Sequence, residues 1–484
     1  MTDNAAVDWE PVRKFITDTL REEVLPSLAV AVAREGRILW EEAFGWADRE
    51  RRIPATPHTL YSLASISKPI TATAVMVLRE EGRLDPDRPI QEYLGPARLQ
   101  GNLFDAAGAT VRRVADHTSG LPLHYHFFFA DEPHRPPSRV ETIRRYGKLF
   151  TAPGERFHYS NLGYGLLDYA VEQLSGQAYR DFLREKVFLP LGMTRSSVDV
   201  APELEPFAAT RYGSDQVSYP HYDFDHPGGS AVYCSAHDLL RFGMFHAGTP
   251  LPDQKEILTP ETRQEMQRPT SLRGPGEYGF GWNVQADDCG VRSVSHSGGM
   301  GGVNTLLKVV PEAGIVIVTL CNAACRLPFL AAEEILARLL PTYAGRLAEK
   351  RATPPEPSPD ADPPQLLPGE WSGYVDLPEG SLPFQLRVRG NGDLHARVGE
   401  QLWALVNDVL LEHQTLTGRF AGDLGTEDTR KRPGYLHLDL QMQERQMLGA
   451  LVARSELPGP QGGAPARRMG NALSHWCLLE RRST

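Results

Sequence analysis

Tyr61-Ser-Leu-Ala-Ser65-Ile-Ser-Lys68-Pro69 is the stretch whose reading decides the fold of this 484-residue chain. Behind it Ile66, Ile70, Ala74, Val77, Leu78 and Glu81 recur at three- and four-residue steps, mostly apolar, which predicts a helix over 69–81. Pro69 is tolerated in a first turn, where backbone N–H groups have no intrahelical partner anyway. Ser65 then stands at the positive end of the helix and Lys68 one turn on, on the same face. A neutral amine there can take the hydroxyl proton and make Ser65 a nucleophile. Taken alone, the same residues equally describe a serine N-cap followed by a solvated lysine. Of 51 basic residues only 8 are lysines. Arginine keeps its proton and a buried lysine can lose it, so a lysine here favours the chemical reading.

Two further stretches strengthen it. Phe157-His-Tyr159-Ser-Asn161-Leu-Gly163 precedes a second helical pattern, with Leu162, Leu166, Ala170 and Leu174 on one face and a stop at Gly176. Tyr159 can move a proton to a leaving group, and Asn161 can hold the lysine or a substrate amide. A turn with Asn161 as N-cap is the plainer alternative. Val294-Ser-His296-Ser-Gly298-Gly299-Met-Gly-Gly302 lies just ahead of a predicted strand. Its glycines allow backbone N–H groups to approach a ligand closely and, with the Ser65 N–H, to form an oxyanion hole. A loose glycine-rich turn with an incidental histidine reads the same way.

Outward from these motifs, Ser27–Ala33 and Ile38–Phe44 flank a turn at residues 34–37, and Val303–Val310 and Ile315–Leu320 flank one at 311–314. A helical run follows at Phe329–Leu340. Strands at both ends with helices between them predict an α+β unit: one antiparallel sheet built from the two termini, with a helical lobe inserted. Residues 353–364 are proline-rich and polar and read as extended linker. The division is therefore 1–345, a linker at 346–365, and a C-terminal unit at 366–484. In that unit Leu382, Phe384, Leu386 and Val388 alternate, a Gly390-Asn391-Gly392 turn follows, and Leu394, Ala396 and Val398 alternate again. With strand candidates at 403–412, 435–440 and 447–453, the unit is all-β, a small lipocalin-like barrel.

Composition narrows the partners. A net charge of −10 without a long block of one sign argues against nucleic acid. No run of 18 apolar residues occurs, so no membrane span is expected, and the acidic start Met1-Thr2-Asp3-Asn4 is unlike a secretory signal. The cytoplasm is the expected location. The five cysteines suggest neither a disulfide framework nor structural zinc. His124, His126, His134, His221 and His226 lack ligand spacing in sequence and read as loop histidines at a cleft rim. Phe127–Phe129 is pocket wall or core. No metal or organic cofactor is expected.

The three motifs, in this order and spacing, resemble the serine β-lactamase and penicillin-binding-protein superfamily, and within it the class C branch of β-lactamases, esterases, carboxypeptidases and D-aminopeptidases. The likeness covers roughly residues 10–345. It extends to Leu84–Ile90 with Tyr93-Leu94, Val114–Pro122, Pro190–Met193, Gly228–Phe242 and Tyr278–Trp282. The resemblance implies Ser65 as acylating nucleophile, Lys68 as its activator and Tyr159 as general acid/base. It implies Asn161 as companion polar residue, His296 and Gly298 as orienting residues of the third motif, and the Ser65 and Gly299 N–H groups as oxyanion hole. β-Lactamases usually begin that motif with lysine, whose charge binds a carboxylate. Histidine is mostly neutral near pH 7, so weak or no β-lactam turnover is expected. The expected activity is hydrolysis of carboxylic esters, small amides or short peptides through a Ser65 acyl-enzyme. A D-stereospecific aminopeptidase and a non-hydrolytic acyl or penicillin sensor are the alternatives, with homo-oligomerisation left open. In His-x-Gly relatives a barrel loop can shape the substrate site; here a purely packing barrel weighs equally.

Overall fold

The computed structural model describes residues 7–273, 276–353, 368–432, 434–455 and 469–482. The N-terminal strand Ser27–Arg34 pairs antiparallel with both the hairpin strand Arg37–Asp48 and the distant strand Ile315–Cys321. Beyond it the sheet runs through Val303–Val310, Val291–Met300, Asn283–Asp288, Gly276–Tyr278 and Ser271–Arg273. The termini of the large unit thus close one sheet, as the alternation of apolar runs predicts.

The period-2 rule decides what each face meets. Leu28, Val30, Val32, Ile315 and Ile317 join Trp9, Val12, Ile16 and the inner face of helix Leu327–Leu339 in one core. Ala29, Ala31, Ala33, Val316, Val318 and Leu320 face the helical lobe instead. That side is lined by small residues because helix Ala236–His246 comes close: a Cβ on its Gly243 would lie 2.4 Å from Val316 Cγ1. Both faces of the sheet are covered, which is why its central strands are continuously buried.

The C-terminal strands form a second nine-stranded antiparallel sheet. Its edge strands, Ala404–Leu405 and Asn407–Glu412, are consecutive and separated only by Val406, so the sheet is a nearly closed barrel. The strand expected over 403–412 is broken there. Residues 346–352 also depart from expectation: helix Pro341–Ala352 includes them, Tyr343 and Leu347 anchoring it in the core, so they are not extended linker. The proline-rich run 354–364 and the start Met1–Asn4 lie outside the described residues. The barrel docks on the lobe through Tyr125 bridged to Ala472, through Phe127 N–H to Asn471 Oδ1 (2.9 Å), and through the Tyr146 hydroxyl to Asp428 Oδ2 (2.7 Å).

Candidate active site

From Tyr61 to Leu78 every residue is buried except Ser65. Ser65 sits in a 3-10 turn, Ala64–Ile66, that runs directly into helix Ser67–Glu80. Ala64 before it holds a left-handed φ of +49°, a strained value for a residue with a Cβ. The turn is clamped from behind: Ser67 Oγ donates to the Ala64 carbonyl (2.7 Å) and accepts from Val232 N–H (3.0 Å). The surrounding core therefore presents this one hydroxyl outward.

Lys68 is fully buried, and its Nζ has three neighbours: Asn161 Oδ1 at 2.7 Å, the Gly229 carbonyl at 2.9 Å and Ser65 Oγ at 3.2 Å. Burial, reinforced by the charge of Arg273, holds its pKa well below that of a free lysine. A neutral amine has two N–H bonds and one lone pair. The two carbonyl-type oxygens take the N–H bonds, and the lone pair is left for Ser65. Asn161 is not the N-cap of its helix. Ser160 is, accepting from Gly163 N–H (3.1 Å), which frees the Asn161 side chain for Lys68 and for the His124 carbonyl (3.1 Å).

Tyr159 stands just before that helix, its ring 4.7 Å from Lys68 Nζ. Burial first, then the neighbouring Tyr278 and Tyr125, raise its pKa well above 10, against the opposing pull of a hydrogen bond with Ser65. It is a phenol, not a phenolate. His117 packs on it at 4.4 Å between ring centroids and accepts from Ser160 N–H at Nδ1 (3.1 Å), so the imidazole and the next peptide together fix the tyrosine. Burial keeps His117 neutral. This positioning residue lies inside the Val114–Pro122 stretch but was not singled out there.

The third motif is not a loose turn. Val291–Met300 is a strand paired with Val303–Val310, and beyond Ser295 its other edge carries no strand partner among the described residues. Gly298 is required by crowding: a Cβ would lie 2.0 Å from the Leu63 carbonyl and 2.3 Å from Thr305 Oγ1. The strand and the Ser65 turn therefore touch, while around Gly299 the nearest atom to an added Cβ is 3.9 Å away. His296 is buried, with Nδ1 2.8 Å from the Ser297 carbonyl and Nε2 2.9 Å from the Tyr278 hydroxyl. The tautomer that satisfies both donates from Nδ1 and accepts at Nε2. Burial holds its pKa at about 3, so the ring is neutral and offers no free donor. The cation at the mouth is Arg273, a residue without a sequence signal: its guanidinium lies 5.8 Å from the rings of both Phe157 and Tyr159.

Other sequence readings change place. His124, His126 and His226 are fully buried around Asp225, not rim histidines, because the tertiary fold supplies the carboxylate that their spacing lacked. Phe127 and Phe129 join Tyr222, Phe224 and Met300 in a small aromatic core against Ala64, beside Ser65. Among the described residues no helix is long and apolar enough to cross a membrane.

Residues 12–340 match the Beta-lactamase family. Penicillin-binding protein 4* of Bacillus subtilis (strain 168) is 31% identical over 314 residues, covering 60% of this chain and 66% of its own length. Protein flp of Staphylococcus aureus (strain N315) is 23% identical over 320 residues, 65% of this chain and 63% of its own. The chain thus spans just under two thirds of these relatives. The octameric penicillin-binding protein homologue from Pyrococcus abyssi superposes with a TM-score of 0.60 at 22% identity, over 98% of this chain and 100% of its own. A class C β-lactamase superposes with a TM-score of 0.60 at 19% identity, over 68% and 95%. The match over residues 12–340, together with a fold shared with these structures, makes this chain a member of the Beta-lactamase family, the serine β-lactamases and penicillin-binding proteins.

Proposed function

We propose that the chain hydrolyses carboxylic esters or small amides through an acyl-enzyme on Ser65, with weak or no β-lactamase activity. The observation that carries this is the buried Lys68, whose hydrogen-bond partners among the described residues, besides Ser65, are two oxygens that leave its lone pair on the nucleophile. Lys68 takes the Ser65 proton as Oγ attacks the carbonyl carbon. The developing oxyanion is met by the N–H groups of Ser65 and Gly299. Tyr159, a phenol, passes a proton to the leaving group. Water then attacks the acyl-enzyme with the proton transfers reversed.

The charges around the site favour this reading over a D-aminopeptidase. A substrate ammonium would meet Arg273, whose charge acts on Lys68. His296 supplies no charge for a β-lactam carboxylate. Arg273 lies at the mouth and supports some affinity for anionic substrates, so a residual β-lactam rate is compatible with the reading. In the same proposal residues 1–345 carry the chemistry, and the barrel packs beside the site through Met469 and Ala472.

The test is hydrolysis of p-nitrophenyl acetate and butyrate, a D-alanine p-nitroanilide and nitrocefin by wild type and Ser65→Ala in parallel. Ester turnover that vanishes in Ser65→Ala is expected. Equal rates in the two proteins would remove Ser65 from the chemistry, and nitrocefin as the best substrate would overturn the ester reading.

A further inference from the structure

The strand Phe127–Phe129 pairs antiparallel with Tyr222–Phe224, Phe127 opposite Phe224. Continuing that register by one residue sets His126 opposite Asp225, and His124, two residues earlier, points to the same side. The side chains converge as that register requires. His124 Nε2 lies 2.9 Å and His126 Nδ1 3.6 Å from Asp225 Oδ2, and one donor atom from each of the three residues lies within 4.8 Å of the other two. All three residues are buried.

The cluster is short of hydrogen-bond partners. Both ring nitrogens of His126, and Nδ1 of His124, are buried without one. An imidazole whose Nε2 has no partner and whose Nδ1 reaches only a carboxylate at 3.6 Å is costly in a sealed interior unless something with a demand for lone pairs joins it. The second oxygen of Asp225 takes His226 Nδ1 at 2.7 Å, which fixes the carboxylate from behind in the manner of an outer-shell partner.

We propose that His124, His126 and Asp225 bind a zinc ion. Two imidazole nitrogens and one carboxylate oxygen form a donor set that zinc accepts, with a non-protein ligand as the fourth. A tetrahedral ion with bonds of about 2.0–2.1 Å separates its ligands by roughly 3.4 Å, a spacing that the 2.9 Å and 3.6 Å separations bracket. Loading needs the lone pairs of both imidazoles, so the proton that His124 Nε2 shares with Asp225 moves to Nδ1 or is released. The cluster adjoins the groups that hold Lys68. The His124 carbonyl accepts from Asn161, and Asp225 leads through His226 into the turn whose Gly229 carbonyl holds Lys68. The role of the ion is to lock those two acceptors in place.

The test uses the full chain without a histidine tag, produced in zinc-supplemented medium and passed over a chelating resin, with metal content read by mass spectrometry. About one zinc per chain is expected for wild type, and at least a roughly tenfold loss in His126→Gln and Asp225→Asn. His221→Ala, which breaks the exposed group Asp199, His221 and Asp223, retains the metal. Co²⁺-grown wild type gains visible absorption that His126→Gln lacks. If both cluster variants fail to fold, zinc content and the cobalt spectrum of wild type against His221→Ala still decide. Zinc-free wild type whose Tm does not rise on refolding with Zn²⁺ would overturn the proposal, as would a zinc content that only His221→Ala reduces.

Discussion

The Lys68 amine and the Asn161 side-chain oxygen lie 2.7 Å apart, and both residues are wholly buried. The contact joins two helix starts 93 residues apart in sequence and orients the amine relative to Ser65. Because Asn161 accepts without bearing charge, it holds Lys68 without drawing a proton onto it.

Asn161→Asp should therefore slow the enzyme in a pH-dependent way. A carboxylate at hydrogen-bond distance raises the lysine pKa by about 1–3 units. The base is active only when neutral, so the acidic limb of the kcat/KM profile moves to higher pH by the same amount. An unshifted limb with a uniformly lower rate would show that Asn161 acts only on substrate.

Lys68→Met should abolish turnover and raise stability near neutral pH. The folded pKa of Lys68 lies below its unfolded value, so between the two the unfolded chain binds more protons and stability rises with pH. Below that window the buried amine lowers stability. Methionine removes this cost at similar volume, and a Tm increase of at least about 2 °C is expected at pH 7, shrinking toward pH 10. A Tm that falls equally at both pH values would contradict the sign.

Arg273→Ala should separate substrates by charge. For esters carrying a free carboxylate, kcat/KM is expected to fall about tenfold, chiefly through KM. Uncharged p-nitrophenyl esters should keep their KM to within about twofold. Loss of kcat on both classes would place Arg273 in the chemistry instead.

Gly298→Ala should damage both structure and rate. The new methyl meets the Leu63 carbonyl at 2.0 Å, backbone that cannot swing aside. A stability loss of about 1–3 kcal/mol is expected, with a fall in kcat as the strand is pushed from the nucleophile turn. Urea denaturation and ester hydrolysis on the same sample check both.

Much of this was legible beforehand for local reasons. Ser27–Ala33 and Ile315–Leu320 are short apolar runs, each beside a turn, and their continuous burial between two cores is what makes them so. Helix Leu327–Leu339 lay within two residues of its expected bounds. The errors were of one kind. The segment Val291–Met300 ends in Gly298 and Gly299 and so reads as a turn, since the reason for Gly298 is the Leu63 carbonyl of another element. Residues 346–352 adjoin a proline run but belong to a helix whose hold is Tyr343 and Leu347.

The sequence by itself determined the motif Ser65–Lys68, the order of the three motif segments and the strands at both ends of the large unit, because spacing and turn signals are properties of neighbours along the chain. Only the tertiary structure decided that burial lowers the Lys68 pKa, that His296 is already engaged by Tyr278, that Arg273 lies near Phe157 and Tyr159 and that Asp225 joins His124 and His126. Each of those depends on burial or on a partner far away in sequence. Desolvation and side-chain contact exist only after distant segments pack, and no local pattern encodes them.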